Sequence, residues 1–205
     1  MGLGEHDGGG VVNKFIVIEG LDATGKSTLV DKLSFLLDAV QLSCPPEILI
    51  PSIVDGHARS HFDSLNPLQR RAYYRFSNLV ASELAAREIS QNHVIMDRYW
   101  TSTAAFAAMD DGFTHDIELG TYPDELMKPD LLILLTVDEE NRLLRLQGRG
   151  ECETQEESEL AANKEKRMKV LEAYMAFNPV VLDTSNKSPD QVCSDALQII
   201  QEAYQ

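Results

Sequence analysis

The sequence predicts an α/β fold: a five-stranded parallel sheet with helices on both faces. Three observations carry that expectation. Short, continuously apolar runs recur along the chain, as strands buried on both sides require. Stretches with apolar residues at helical spacing separate them. Glycine, proline and asparagine stand at the junctions, where the chain must turn or a helix must start or stop.

Taken in order, Lys14–Glu19 (KFIVIE) reads as a buried strand that runs into a glycine-rich turn. From Lys26 to Val40, residues Leu29, Leu33, Leu36, Leu37 and Val40 have helical spacing. A short strand near Gln41–Cys44 is stopped by Pro45-Pro46. Residues 47–65 carry no clear pattern. Asn66-Pro67 is a helix start, with Asn as cap and Pro in the first turn, and that helix should run to about Ser90. His93–Met96 is a short strand delivering Asp97, and Ser102–Met109 is helical. Asp111–Lys128 is irregular, with a short helix expected at Asp124–Met127. Asp130–Val137 (DLLILLTV) is the strongest strand, after which Asp138 caps a helix to Gln147. Thr154 with Glu157 has the capping-box pattern before one long helix ending at Asn178-Pro179. Val180–Leu182 is the last strand and Ser188-Pro189 starts the last helix. With no repeat or linker, residues 14–205 read as one domain behind a glycine-rich leader, 1–13, expected to be disordered.

Charge excludes some functions. Lys and Arg number 18 against 33 Asp and Glu, a net charge of -15, so a negative exterior would repel a nucleic acid. An anionic substrate must therefore be held by local cations. No apolar run is long enough to span a membrane. Cys44, Cys152 and Cys193 are too scattered for a disulfide framework or a zinc site. The first residues, with Glu5 and Asp7 and no Arg, read as neither signal nor transit peptide.

Gly20-Leu21-Asp22-Ala23-Thr24-Gly25-Lys26-Ser27, followed by Thr28, matches G-x-x-x-x-G-K-[ST] in full. Glycines let backbone N–H groups turn inward around phosphate oxygens, and the helix starting at Lys26 aims its positive end at the same anion. Lys26 can reach the β- and γ-phosphates of ATP, and the Ser27 hydroxyl can hold Mg²⁺. No D-x-x-G follows Ser27, and Asn186-Lys187-Ser188-Pro189 has Pro where a guanine-reading motif needs Asp, which argues against a GTPase switch. Motor ATPases are usually larger and carry an acidic Walker-B pair. A small kinase with a P-loop fold is the class that remains.

A second signal follows the third strand: Asp97-Arg98-Tyr99-Trp100-Thr101-Ser102-Thr103-Ala104-Ala105-Phe106. Together with Glu19-Gly20-Leu21-Asp22, it resembles the thymidylate kinase family, whose P-loop is E-G-x-D and whose third strand ends in D-R-[YFH]. The resemblance continues through Lys128-Pro129-Asp130, Arg145-Leu146-Gln147-Gly148-Arg149-Gly150 and a last strand closed by Asp183. Its details look most like the mitochondrial UMP-CMP kinase branch.

That resemblance implies transfer of the γ-phosphoryl of ATP, with Mg²⁺, to a pyrimidine nucleoside monophosphate: dCMP, dUMP, CMP or UMP. The nucleophile is then a phosphate oxygen whose second pKa is about 6, so positioning and charge neutralisation suffice. Asp97 reads as a Mg²⁺ or water-orienting carboxylate, and Arg98 as the bidentate bridge between donor and acceptor phosphates. Asp22 is expected to accept from an acceptor sugar hydroxyl, with Ser102 and Phe106 also at the acceptor. The P-loop has Ala23 and Thr24 where some relatives have Arg, so a lid at about 147–160 should supply the charge through Arg149. Arg145 should lie against adenine, near Thr184–Lys187 and thus Asn186, while Arg142 reads as a solvated helix face. Tyr74 and Asn78, four apart, match the family's base-holding pair, with Asn in place of Arg; an amide both donates and accepts. No arginine follows the second strand, which leaves Arg59, or Arg70 or Arg71, for the acceptor phosphate.

His57 and His61 lack a third ligand and read as surface residues, and Asp110-Asp111 as solvated charge. Alternative readings are a dTMP kinase, a deoxynucleoside kinase with Glu47 as its only nearby base, and a regulator that binds ATP without turnover. The family branch implies a mitochondrial setting, with a cytoplasmic one as alternative, and the family often forms homodimers.

Overall fold

A computed structural model describes residues 12–49, 64–110, 117–149 and 155–204. The strands are β1 (Phe15–Gly20), β2 (Val40–Ser43), β3 (Val94–Asp97), β4 (Leu131–Thr136) and β5 (Val180–Asp183). The helices are α1 (Lys26–Leu36), α2 (Pro67–Glu88), α3 (Trp100–Ala107), α4 (Glu139–Arg149), α5 (Gln155–Ala162), α6 (Lys164–Met175) and α7 (Pro189–Ala203). All strand pairs are parallel, in the order β2-β3-β1-β4-β5. The five expected strands are therefore all present.

The period-2 geometry of β1 explains its unbroken apolar run. Ile16 and Ile18 point to one face and pack with Leu29 and Leu33 of α1 and Val192 and Ile200 of α7. Phe15 and Val17 point to the other and pack with Ala81 and Ala85 of α2 and Trp100 of α3. Every β1 residue is buried, so only apolar side chains fit, with one exception at Glu19. A third cluster joins Leu21, Phe106 and Leu134 to Leu160, Val170 and Tyr174, seating α6 on α3. With β1 between β3 and β4, the turns after these three strands leave the sheet along one edge, where ligands of such sheets bind.

Helix starts follow their cap residues. Asn66 accepts from Gln69 N, and Ser188 and Gln191 form a reciprocal capping box. Asp138 accepts from Asn141 N at 2.8 Å. Three boundaries differ from expectation. The single long helix after residue 154 is two helices, because Asn163 leaves the helical conformation and caps α6 by accepting from Lys166 N. Residues 124–127 form a turn rather than a helix. Helix α1 ends at Leu36, and Asp38 takes a left-handed φ of 48° that turns the chain into β2. Thr154, His57, His61 and residues 1–11 lie outside the described residues. No described helix is long and apolar enough to cross a membrane.

Candidate functional site

The loop after β1 is shaped by what cannot fit there. At Gly20 (φ 149°) an added Cβ would lie 2.6 Å from the Leu135 carbonyl oxygen and 2.9 Å from Thr24 Oγ1, so only glycine allows this approach. Gly25, at φ 92°, is the N-cap of α1. Thr24 Oγ1 donates to the Leu21 carbonyl at 2.8 Å, and Lys26 Nζ donates to the same oxygen at 3.1 Å. Lys26 is buried, and its pKa is pushed down to about 8, first by burial and then by Arg98, with Asp97, Asp22 and Glu19 resisting. The Leu21 side chain belongs to the core, while Thr28 lines the clefts beside the loop.

Asp97 and Arg98, at the end of β3, face this loop. Ser27 Oγ donates to Asp97 Oδ2 at 3.0 Å. Asp97 Oδ1 is buried with no hydrogen-bond partner among the described residues. A hydroxyl and a half-used carboxylate side by side are oxygen donors suited to Mg²⁺, which takes few protein ligands and completes its shell with water and phosphate. Arg98 takes a left-handed φ of 63°, which turns its side chain back toward the loop. Its guanidinium donates to Asp22 Oδ1 at 3.1 Å and to Ser102 Oγ at 3.3 Å and lies 5.5 Å from the Phe106 ring centroid. Burial works against its charge, but Tyr174, Asp22, Asp97 and Glu19 outweigh it, so its pKa lies above the ordinary arginine value.

On the far side of the loop, Arg145 on α4 donates to the Ala23 carbonyl at 3.0 Å, to Thr184 Oγ1 at 2.9 Å and to the Thr184 carbonyl at 2.7 Å. It ties the phosphate loop to the turn after β5. A cleft of about 240 Å³ opens beside it, lined by Thr24, Thr28, Arg145, Thr184, Lys187 and Pro189 among others. Asn186 adjoins that cleft but turns its Oδ1 to Asn141 Nδ2 at 3.2 Å. A second opening of about 340 Å³ lies over Lys26, Ser27 and Gly148.

Other expected residues stand differently. Asn78 is fully buried. It donates to the Tyr74 carbonyl and to Thr103 Oγ1, each at 2.7 Å, and accepts from Cys44 Sγ at 3.5 Å, so both amide hydrogens are already taken. Half-buried Tyr74 packs edge-on against Tyr73, with the Arg71 guanidinium 5.8 Å from its ring centroid. Ser102 turns its hydroxyl to Glu19 and Tyr174. Asp110 is not solvated: it is buried and accepts from Arg71 Nε at 2.8 Å and Arg70 Nη2 at 3.5 Å. Nor is Arg142 solvated, since it is buried against Glu139, which also takes Arg167 of α6. Glu47 is exposed in a 3₁₀ turn, Glu47–Leu49. Arg59 and the side chain of Arg149 lie outside the described residues.

Glu19, which the sequence presents as part of the E-G-x-D motif, had been given no role of its own. It is the last side chain of β1 before Gly20 and is fully buried, and its carboxylate accepts from Tyr99 N, Ser102 N and Ser102 Oγ. A charged residue closing an otherwise apolar strand was the available signal.

This sheet order, with an intact phosphate loop and an Asp-Arg pair brought to it from the next strand over, defines the P-loop kinase fold. The chain belongs to the thymidylate kinase family, whose family model (thymidylate kinase) matches residues 18–195. It is 40% identical over 199 residues to human mitochondrial UMP-CMP kinase 2, covering 92% of this chain and 43% of that protein. It thus spans less than half the length of that relative. A probable thymidylate kinase of Methanocaldococcus jannaschii is 27% identical over 190 residues, with 91% and 95% covered. Among solved structures, the thymidylate kinase of Candida albicans superposes with a TM-score of 0.71 at 24% identity, covering 93% and 92%. The deoxyadenosine kinase of M. mycoides, solved with dATP, gives 0.61 at 17%, covering 91% and 99%. Those two likenesses establish the fold alone.

Proposed function

We propose that this chain transfers the γ-phosphoryl group of ATP, in the presence of Mg²⁺, to a pyrimidine nucleoside monophosphate. The observation that carries the proposal is the pairing of Arg98 with Asp22 beside the Ser27–Asp97 pair: a fixed cation and a metal seat share one rim of the phosphate loop. Similarity to UMP-CMP kinase 2 over 92% of the chain favours CMP or UMP over dTMP, with dCMP and dUMP as the deoxy acceptors carrying the same bases. It also favours a mitochondrial setting.

Each side chain then has a part. Lys26 and the loop amides hold the donor phosphates, and Ser27 with Asp97 would hold Mg²⁺, which supplies charge neutralisation when bound. Arg98 binds the acceptor phosphate and steadies charge as the phosphoryl group moves, with Arg149 adding a second guanidinium from the lid. Arg145 positions adenine by fixing the cleft wall at Thr184. Asp22 orients Arg98, and its second oxygen serves the acceptor sugar. Phe106 backs the guanidinium, and Tyr74 flanks the acceptor.

An acceptor panel tests this. Purified protein is incubated with ATP, with and without Mg²⁺, and each nucleoside or monophosphate, and ADP release is followed. Turnover of pyrimidine monophosphates that stops on chelation is expected. Turnover of deoxycytidine without turnover of dCMP would refute it.

A further inference from the structure

Glu19 takes no part in the scheme above, yet it is the one charged side chain on the central strand and is fully buried. Burying a carboxyl group is costly unless its oxygens are hydrogen-bonded. Here both are. Helix α3 begins at Trp100, and its N-cap residue, Tyr99, makes no side-chain cap. The orphan N–H groups are met instead from β1: Glu19 Oε1 accepts Tyr99 N at 2.9 Å and Ser102 N at 3.0 Å. A carboxylate at a helix N-terminus is also favoured by the helix dipole. The cap is thus supplied by a residue 80 positions away.

The second oxygen, Oε2, accepts the Ser102 hydroxyl at 2.5 Å. Ser102 Oγ receives Arg98 Nη1 at 3.3 Å and lies 2.8 Å from the Tyr174 hydroxyl. With the Ser102 hydrogen committed to Glu19, both lone pairs of Ser102 are open to Arg98 and Tyr174. A carboxamide at position 19 breaks this order in either orientation. Its NH₂ group points either at two backbone N–H groups or at Ser102 Oγ, where it competes with Arg98. The ionised carboxylate accepts on both oxygens and keeps this order.

We propose that Glu19 is the positioning residue of Arg98. By capping α3 from β1 and orienting the Ser102 hydroxyl, it fixes the left-handed turn at Arg98 and the place of its guanidinium beside Asp22. The proposal rests on the reading of Arg98 as the arginine that binds the acceptor phosphate.

The test is steady-state kinetics on Glu19→Gln, Ser102→Ala and Arg98→Ala, and on the Glu19→Gln/Arg98→Ala double variant. ADP release is measured with ATP, Mg²⁺ and whichever pyrimidine monophosphate turns over best. Misplacing a reacting group by about 1 Å can cost about 100-fold, so Glu19→Gln should lower kcat by about 10- to 100-fold. Its KM for ATP should stay unchanged. In the Arg98→Ala background the same substitution should cost no more than about twofold, since both act on one group. An unchanged kcat in Glu19→Gln, or an equal loss in both backgrounds, overturns the proposal. If Glu19→Gln does not fold, Ser102→Ala decides: the proposal requires a fall in kcat with ATP KM held. A fully active Arg98→Ala would instead sink the reading of Arg98, as would the absence of turnover with every monophosphate.

Discussion

Replacing Glu19 by Gln should change how the stability of the fold depends on pH. Burial raises the Glu19 carboxyl from 4.5 to about 7, against the opposing pull of the Ser102 hydroxyl, Arg98 and the Tyr99 and Ser102 amides. Between those values the folded chain holds a proton that the unfolded chain has released. The unfolding free energy must therefore fall as pH rises through this window. From 4.5 to about 7, at about 1.4 kcal/mol per pH unit, the loss reaches ~3 kcal/mol. The groups facing Glu19 do not mask it. Leu134 opposite on β4 is apolar, Tyr99, Tyr122 and Tyr174 all titrate far above this range, and Lys26 changes charge only near 8. A carboxamide has no proton to release, so the Glu19→Gln variant should gain on the wild type by ~3 kcal/mol between about pH 5 and pH 8. Urea unfolding at a series of pH values, followed by the fluorescence of the single, buried Trp100, measures this directly. Parallel pH profiles for the two proteins would refute the reasoning, and a wild-type advantage that grows with pH would reverse its sign.

Two further outcomes follow from contacts at either end of the site. Arg145→Ala removes the tie between the Ala23 carbonyl and Thr184. Hydrogen bonds to a charged group contribute about 1.5–3 kcal/mol, so calorimetric titration should show Mg-ATP binding weakened by about 10- to 100-fold; an unchanged affinity would separate Arg145 from the donor site. Asp110→Ala leaves Arg70 and Arg71 buried together without their shared carboxylate. Breaking a buried pair costs about 3–5 kcal/mol, and a chain of this size loses about 2–4 °C per kcal/mol, so the calorimetric Tm should fall by about 6–20 °C. A fall of under about 2 °C would place Asp110 outside the load on the fold.

What could be read in the sequence was whatever depends on neighbours in the chain. The apolar runs at Phe15–Ile18 and Leu131–Leu135 marked the strands because both faces of the sheet are covered. Asn66 and Ser188 marked helix starts because a cap bonds only three residues ahead. The phosphate loop could be read for the same reason. What misled was any polar residue whose environment is set from far away. Asp110 looked solvated because Arg70 and Arg71, about 40 positions earlier, could not be placed against it. Arg142 looked solvated because Arg167 of α6 closes over Glu139 from 28 positions beyond it. For Asn78 the helical interval fixes only which face the residue is on; that this face meets α3 through Thr103 was set from 25 positions away.

The site reconciles a chain of net charge -15 with a polyanionic ligand. Lys26, Arg98 and Arg145 come from three separate elements and converge on one loop, so positive charge is concentrated locally rather than spread over the surface. Each has partners in the protein: a carbonyl for Lys26, a carboxylate oxygen and a hydroxyl among those of Arg98, backbone oxygens and a hydroxyl for Arg145. These partners differ in how readily they can be displaced. A lone carbonyl does little to hold a proton on Lys26, whose pKa is pushed down to about 8. An arriving phosphate is a stronger partner and would draw that lysine fully into the charged state. Arg98, held by Asp22 and placed through Glu19, keeps its charge regardless. Under the proposed function, the donor side would respond to its ligand and the acceptor side would stand ready. The buried Glu19 acts on both cations, and its hydrogen bonds reach Arg98 through Ser102.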